Sequence, residues 1–66
     1  MSASLAELQS HVKVVNQMLA TLADHWDTSA SERKYEELYK LSQEASKVAF
    51  AAACLHGAIK REEAAS

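Results

Sequence analysis

The stretch Asp27-Thr28-Ser29-Ala30-Ser31, DTSAS, decides the fold of this 66-residue chain, because nothing else in it interrupts a helix. The chain has no proline and one glycine, so this cluster of small polar residues is the only good linker. Upstream of it, Leu5, Leu8, Val12, Val15, Leu19, Leu22 and Trp26 recur at alternating spacings of three and four. That spacing sets all seven on one narrow seam of an α-helix, whereas a strand would scatter them over both faces. Downstream, Leu38, Leu41, Ala45, Val48, Ala52, Leu55 and Ile59 repeat the pattern. Two seams of equal length on either side of one short break predict an all-α, antiparallel two-helix hairpin. It forms a single domain over 1–66, with a helix over about 5–26, a turn over 27–31 and a second helix over about 32–61.

The helix ends carry matching signals. Ser4 followed by Glu7 fits a capping box, in which the serine oxygen accepts from a free backbone amide of the first turn. Ser29 with Glu32 offers a second box, and Ser31 could equally cap a helix starting at Glu32. Glu32, Glu36 and Glu37 lie near that start and Lys60 and Arg61 near the far end, as the helix dipole favours. Glu62 to Ser66 have no apolar anchor and are expected to fray.

Composition narrows the function classes. A chain this short buries a small share of its surface, so disulfides, a metal or a partner must help. The single cysteine, Cys54, excludes an internal disulfide and suits a reducing, cytoplasmic setting. A net charge of −2, with seven Lys and Arg interspersed among nine acids, argues against a nucleic-acid surface. The apolar run from Val48 to Leu55 is far shorter than the roughly 20 residues a spanning helix needs, and the N-terminus lacks the blocks of a signal peptide, so no membrane role is expected.

Catalytic and metal chemistry find little support. His11, His25 and His56 include no i, i+4 pair, and Cys54 and His56 point to opposite sides of a helix, so no metal or other cofactor is expected. A hairpin offers Cys54 no concave pocket and no third orienting group, so the chain is not read as an enzyme. Trp26 in DHWDT has the residue type of an interface anchor, but it completes the first seam and is expected to plug the turn end of the hairpin.

The remaining apolar surface points to partners. Tyr35, Tyr39, Ser42, Ser46, Ala49, Ala53 and Gly57 form a second stripe about 120° around the second helix from its seam, with Phe50 at the edge. Two helices cannot cover it. Small residues lower the ridge and let another backbone approach, so these eight positions are the candidate partner-binding residues. Alanine is also the best helix former, and an Ala-rich helix is compatible with propensity alone. Val14 and Met18, flanked by His11 and His25, form a smaller patch on the first helix. Glu36, Lys40, Gln43, Glu44 and Lys47 share a face and are read as the solvated side.

From Ser31 to Ile59, SERKYEELYKLSQEASKVAFAAACLHGAI resembles the second helix of the small co-chaperones of type III secretion needle subunits, the YscE/PscE-like family. The likeness lies in a capping residue four before Tyr35, then Leu38, an acidic and alanine-bearing middle at Glu44-Ala45, and a small-residue apolar end. The resemblance implies a cytoplasmic two-helix protein that binds a helical-repeat co-chaperone and, with it, keeps the needle subunit unpolymerised. Two other readings stand beside it. One is a homo-oligomer in which two hairpins form a four-helix bundle through the same stripe; the other is a small adaptor module of membrane traffic, suggested by HVKVVNQML and YEELYKL.

Overall fold

The computed structural model describes residues 4–65. It contains two α-helices, α1 (Leu5–Asp24) and α2 (Ser31–Ala65), packed against each other as an antiparallel hairpin. The 35 residues of α2, at about 1.5 Å each, account for the 55 Å length of a molecule only 16 by 15 Å across.

The start of α1 follows from its cap. Ser4 is extended (φ −109°, ψ 162°), and its Oγ accepts from the Glu7 backbone N–H at 3.2 Å. At the start of α2 the carbonyl of Ala30 accepts from Lys34 N at 3.1 Å, so Ala30 occupies the cap position. Ser29 does not serve as the cap there, because its hydroxyl donates to the His25 carbonyl at 2.7 Å. That carbonyl organises the turn. It also takes the Ser29 and Thr28 backbone N–H groups at 3.0 and 3.3 Å and the Thr28 hydroxyl at 3.3 Å. Among the described residues no backbone φ is positive, so the reversal of direction makes no demand for glycine. At the other end α2 continues through Ala65, past the expected end at about Arg61.

The seam between the helices differs from the most apolar line in the sequence. On α1 and its C-cap the covered residues are Leu8, His11, Val15, Met18, Leu22 and His25; on α2 the series is Lys34, Glu37, Leu41, Glu44, Val48, Ala51, Leu55 and Ala58, with Cys54 and Gly57 half-buried beside it. Both series keep the alternating spacing of three and four. They share Leu8, Val15, Leu22, Leu41, Val48 and Leu55 with the expected seam, but every other member is displaced by one residue. Each helix is therefore turned by about 50° from the expected setting, half of the roughly 100° that separates neighbouring residues.

The physical reason is that the apolar sector of each helix is wider than one partner can cover, so pairing chemistry selects which half is hidden. Ala51 and Ala58 let the backbones approach closely, and His25 and Glu37 bond to each other across the seam. His11, Met18 and His25 therefore belong to the interface between the helices and not to an outer patch. Only Leu22 and Ala51, at 4% and 5% exposure, are buried among the described residues.

Candidate functional site

Helix geometry decides where the uncovered half of each seam goes. Val12, Leu19 and Trp26 follow covered positions by one residue, with Leu5 one heptad before Val12 on the same line, and Leu38, Ala45, Ala52 and Ile59 do the same on α2. Each set is thus rotated by the same amount and in the same sense about its own axis. In two right-handed helices that run in opposite directions, equal rotations of the same sense point to the same side of the pair. The two stripes merge into one apolar face of the hairpin. The Lys34 Nζ, 4.7 Å from the centroid of the Trp26 ring, marks this side at the turn end.

The opposite face is mixed. There Val14, Gln17, Met18 and Thr21 of α1 line a shallow groove with Glu37 and Lys40 of α2. Ion pairs stand on this side of α2: Lys40 Nζ is 3.9 Å from Glu36 Oε1, and Lys47 Nζ is 3.0 Å from Glu44 Oε1. The hairpin as a whole is amphipathic.

The apolar face is strongly exposed. Leu5 is 60% accessible, Leu19 51%, Ile59 50% and Trp26 40%, with Val12 and Leu38 also open. The sequence assigns these side chains to the core, and the structure corrects that assignment. Trp26 lies across the turn end with one side in solvent. The chain exposes 5280 Å² in all, against roughly 4,100 Å² for a compact monomer of 7.2 kDa.

The eight residues read from the sequence as partner-binding all lie on α2 and spread over its outward side in three adjacent strips. Tyr35, Ser42 and Ala49 border the apolar face beside Leu38, Ala45 and Ala52. Tyr39, Ser46 and Ala53 point directly away from α1, and Phe50 and Gly57 lie further round, toward the charged side. Tyr35, Tyr39 and Phe50 are the most exposed aromatic side chains, with Tyr35 at 82%. Ser42 Oγ donates to the Tyr39 carbonyl at 2.7 Å and Ser46 Oγ to the Ser42 carbonyl at 3.0 Å. Both hydroxyls are turned onto their own helix, and what they offer outward is chiefly methylene.

At the turn end, His25 Nε2 lies 2.9 Å from Glu37 Oε2 and Arg33 Nε lies 3.0 Å from Glu37 Oε1. The hydrogen bonds from His25 and then Arg33 hold the Glu37 carboxyl below its ordinary pKa. Cys54 is half-buried as a free thiol. Among the described residues no group of three potential metal ligands converges, and no helix is long and apolar enough to cross a membrane.

The chain matches no protein-family model, and comparison with curated proteins and with solved structures finds no significant match.

Proposed function

We propose that this hairpin is a protein-binding module whose apolar face is covered by helices of another chain. The single observation that carries the reading is the exposure of Leu5, Val12, Leu19 and Trp26 together with Leu38 and Ile59 on one side of the molecule. A ridge of large apolar side chains on α1, beside a lower, alanine-lined strip of α2 about one helix spacing away, is a surface that a further helical pair can pack against. Helical-repeat proteins stack such pairs and leave a terminal pair open to another hairpin. The resemblance of Ser31 to Ile59 to the needle-subunit co-chaperones supplies the role that fits this docking mode. In it, the hairpin caps a helical-repeat co-chaperone in the cytoplasm, and the two together hold a secretion needle subunit unpolymerised. The opposite face, where ion pairs stand beside Val14 and Met18, stays in water.

Copurification from the native host with a tagged chain tests the proposal. Wild type is expected to retain a helical-repeat protein, Leu19→Lys to lose it, and Lys40→Glu on the charged face to keep it. Retention by Leu19→Lys at wild-type level would remove the face from the account. A loss with Phe50→Asp but not with Leu19→Lys would transfer the site to the outer stripe of Tyr39, Phe50 and Ala53.

A further inference from the structure

We infer that in the absence of another protein the apolar face closes on a second copy of this chain, giving a symmetric four-helix dimer with a defined pairing of residues. The inference rests on reading this face as a docking surface, and it goes further by naming the free chain's own occupant.

Three features of the molecule argue for a second copy. The first is area. The chain exposes more than 1,000 Å² beyond what a compact monomer of its mass would, by the roughly 4,100 Å² estimate above, and a stable interface takes about 800 Å² from each partner. The excess belongs to the elongated shape, 55 Å by 16 by 15 Å, and a second rod of the same length laid along the face is of the right size to remove it.

The second feature is charge. A face that meets its own image must keep charge of one sign away from its middle, because like charges would be brought together across the symmetry axis. The flank of the face is Gln9, Asn16 and Ala23 on α1 and Tyr35, Ser42, Ala49 and His56 on α2, with Lys13 at its outer edge and Lys34 over Trp26 at its turn end. The two lysines thus stand at the margins, and the middle, around Leu19, Ala45 and Ala52, carries no charge. Glu36, Lys40, Glu44 and Lys47 stand on the opposite side of the hairpin.

The third feature is shape. The α1 half of the face is a ridge of large side chains, Leu5, Val12, Leu19 and Trp26. The α2 half has large residues only near its ends, Tyr35 and Leu38 at one and Ile59 at the other, with Ser42, Ala45, Ala49 and Ala52 between. The His25–Glu37 bond sets the heights along the hairpin. Counting away from it in both directions puts Leu19 within about half a turn of the level of Ala45, and Val12 within about half a turn of Ala52.

A two-fold axis parallel to the helices keeps those heights and lays α1 of each copy over α2 of the other. Leu19 and Val12 then enter the low middle of the partner's α2, while Trp26 meets Leu38 and Leu5 meets Ile59. Every neighbouring pair of helices in this arrangement is antiparallel, as in up-and-down bundles. An axis perpendicular to the helices would set ridge against ridge and leave the alanines facing each other across a gap.

Sedimentation of the purified chain between 1 and 100 μM, as an order-of-magnitude range around common dimer affinities, is expected to give a species of twice the 7.2 kDa chain mass. Leu19→Lys is expected to halve that mass, and Lys40→Glu to leave it unchanged. Leu19→Lys could instead lose its helices, so a second measurement fixes the pairing without disturbing the face. In a Cys54→Ser background, Leu19→Cys chains mixed with Ala45→Cys chains should oxidise to a disulfide-linked pair, and each alone should not. A wild-type monomer throughout the range overturns the dimer yet leaves copurification of another protein, and so the proposed function, standing. A dimer in which Leu19→Cys chains cross-link with themselves, and not with Ala45→Cys, overturns the parallel axis and the pairing.

Discussion

The Nε2 of His25 and the Oε2 of Glu37 meet at 2.9 Å across the mouth of the hairpin, joining the residue just past α1 to the second turn of α2. This bond accompanies the rotation of both helices about their axes, with two polar positions drawn into the seam at the point where the chain reverses. Arg33, at 3.0 Å from the other carboxylate oxygen, holds Glu37 from its own helix.

The bond gives stability a defined dependence on acid. The pKa of Glu37 is lowered in the folded chain by the His25 and Arg33 hydrogen bonds. Its ionised form therefore stabilises the fold at every pH above the ordinary carboxylate range, and that contribution is lost as pH falls through the depressed folded value. Thermal midpoints followed by circular dichroism from neutral to acid pH should drop on the acid side in wild type. In Glu37→Gln the part of that drop due to this residue should be missing, leaving a flatter acid limb. An identical slope in the two proteins would show that the bond does not contribute to folding.

Core truncation separates this molecule from a larger globule. Leu22 and Ala51 are the two buried residues among those described, and Leu22 is the only large side chain of the two, so Leu22→Ala strips the interior of its one bulky member. Leucine-to-alanine changes in cores cost about 2–5 kcal/mol, and a site that can collapse sits at the low end. A cost of about 2 kcal/mol is expected here, enough to unfold a marginal hairpin at room temperature. Denaturant titration reads it directly, and a change below about 0.5 kcal/mol would mean that the seam lies elsewhere.

The α1 cap makes a smaller, cleaner case. Ser4 Oγ receives the Glu7 amide, and the residue is exposed, so its replacement disturbs no packing. Ser4→Ala is expected to cost about 1 kcal/mol and to leave the oligomeric state untouched. Hydrogen exchange should locate the loss in the first turn of α1, and uniform loss along the helix would argue against a local cap.

The hairpin, the position of the break and the start of α1 at Leu5 were legible in the sequence because each rests on a local rule: spacing, small polar residues, and a serine three before an amide it can reach. The face was not. Leu8, Val15 and Leu22 belong equally to two overlapping seams, one completed by Val12 and Leu19 and the other by His11 and Met18. Hydrophobicity alone favours the first. The structure uses the second, since long polar side chains such as His25 and Glu37 can lie in a thin two-helix seam, pair, and still reach water at its edge. The signal available in the sequence was the excess of apolar positions, about three in every seven on α1, which is more than one neighbouring helix covers. Trp26, taken as a plug for the turn end, thereby becomes part of the outward face.

Gly57 provides the last test, because two uses of the same residue predict different outcomes. It lies in the middle of α2 with no positive φ, and a methyl group added there would meet only Arg61 Nη1, at an ordinary 3.4 Å. Nothing inside the chain requires glycine, so Gly57→Ala should stabilise the isolated protein by about 0.5–1 kcal/mol through restriction of the unfolded state and better helix propensity. The residue points away from the apolar face, and the proposed dimer should tolerate the change with no loss of association. If the variant is more stable by thermal denaturation yet sediments as a monomer, a partner backbone must approach Gly57 closely, and the contact surface would then follow the outer stripe of small residues on α2. Equal association with raised stability is the outcome expected from a surface built on Leu19, Val12 and Ala45.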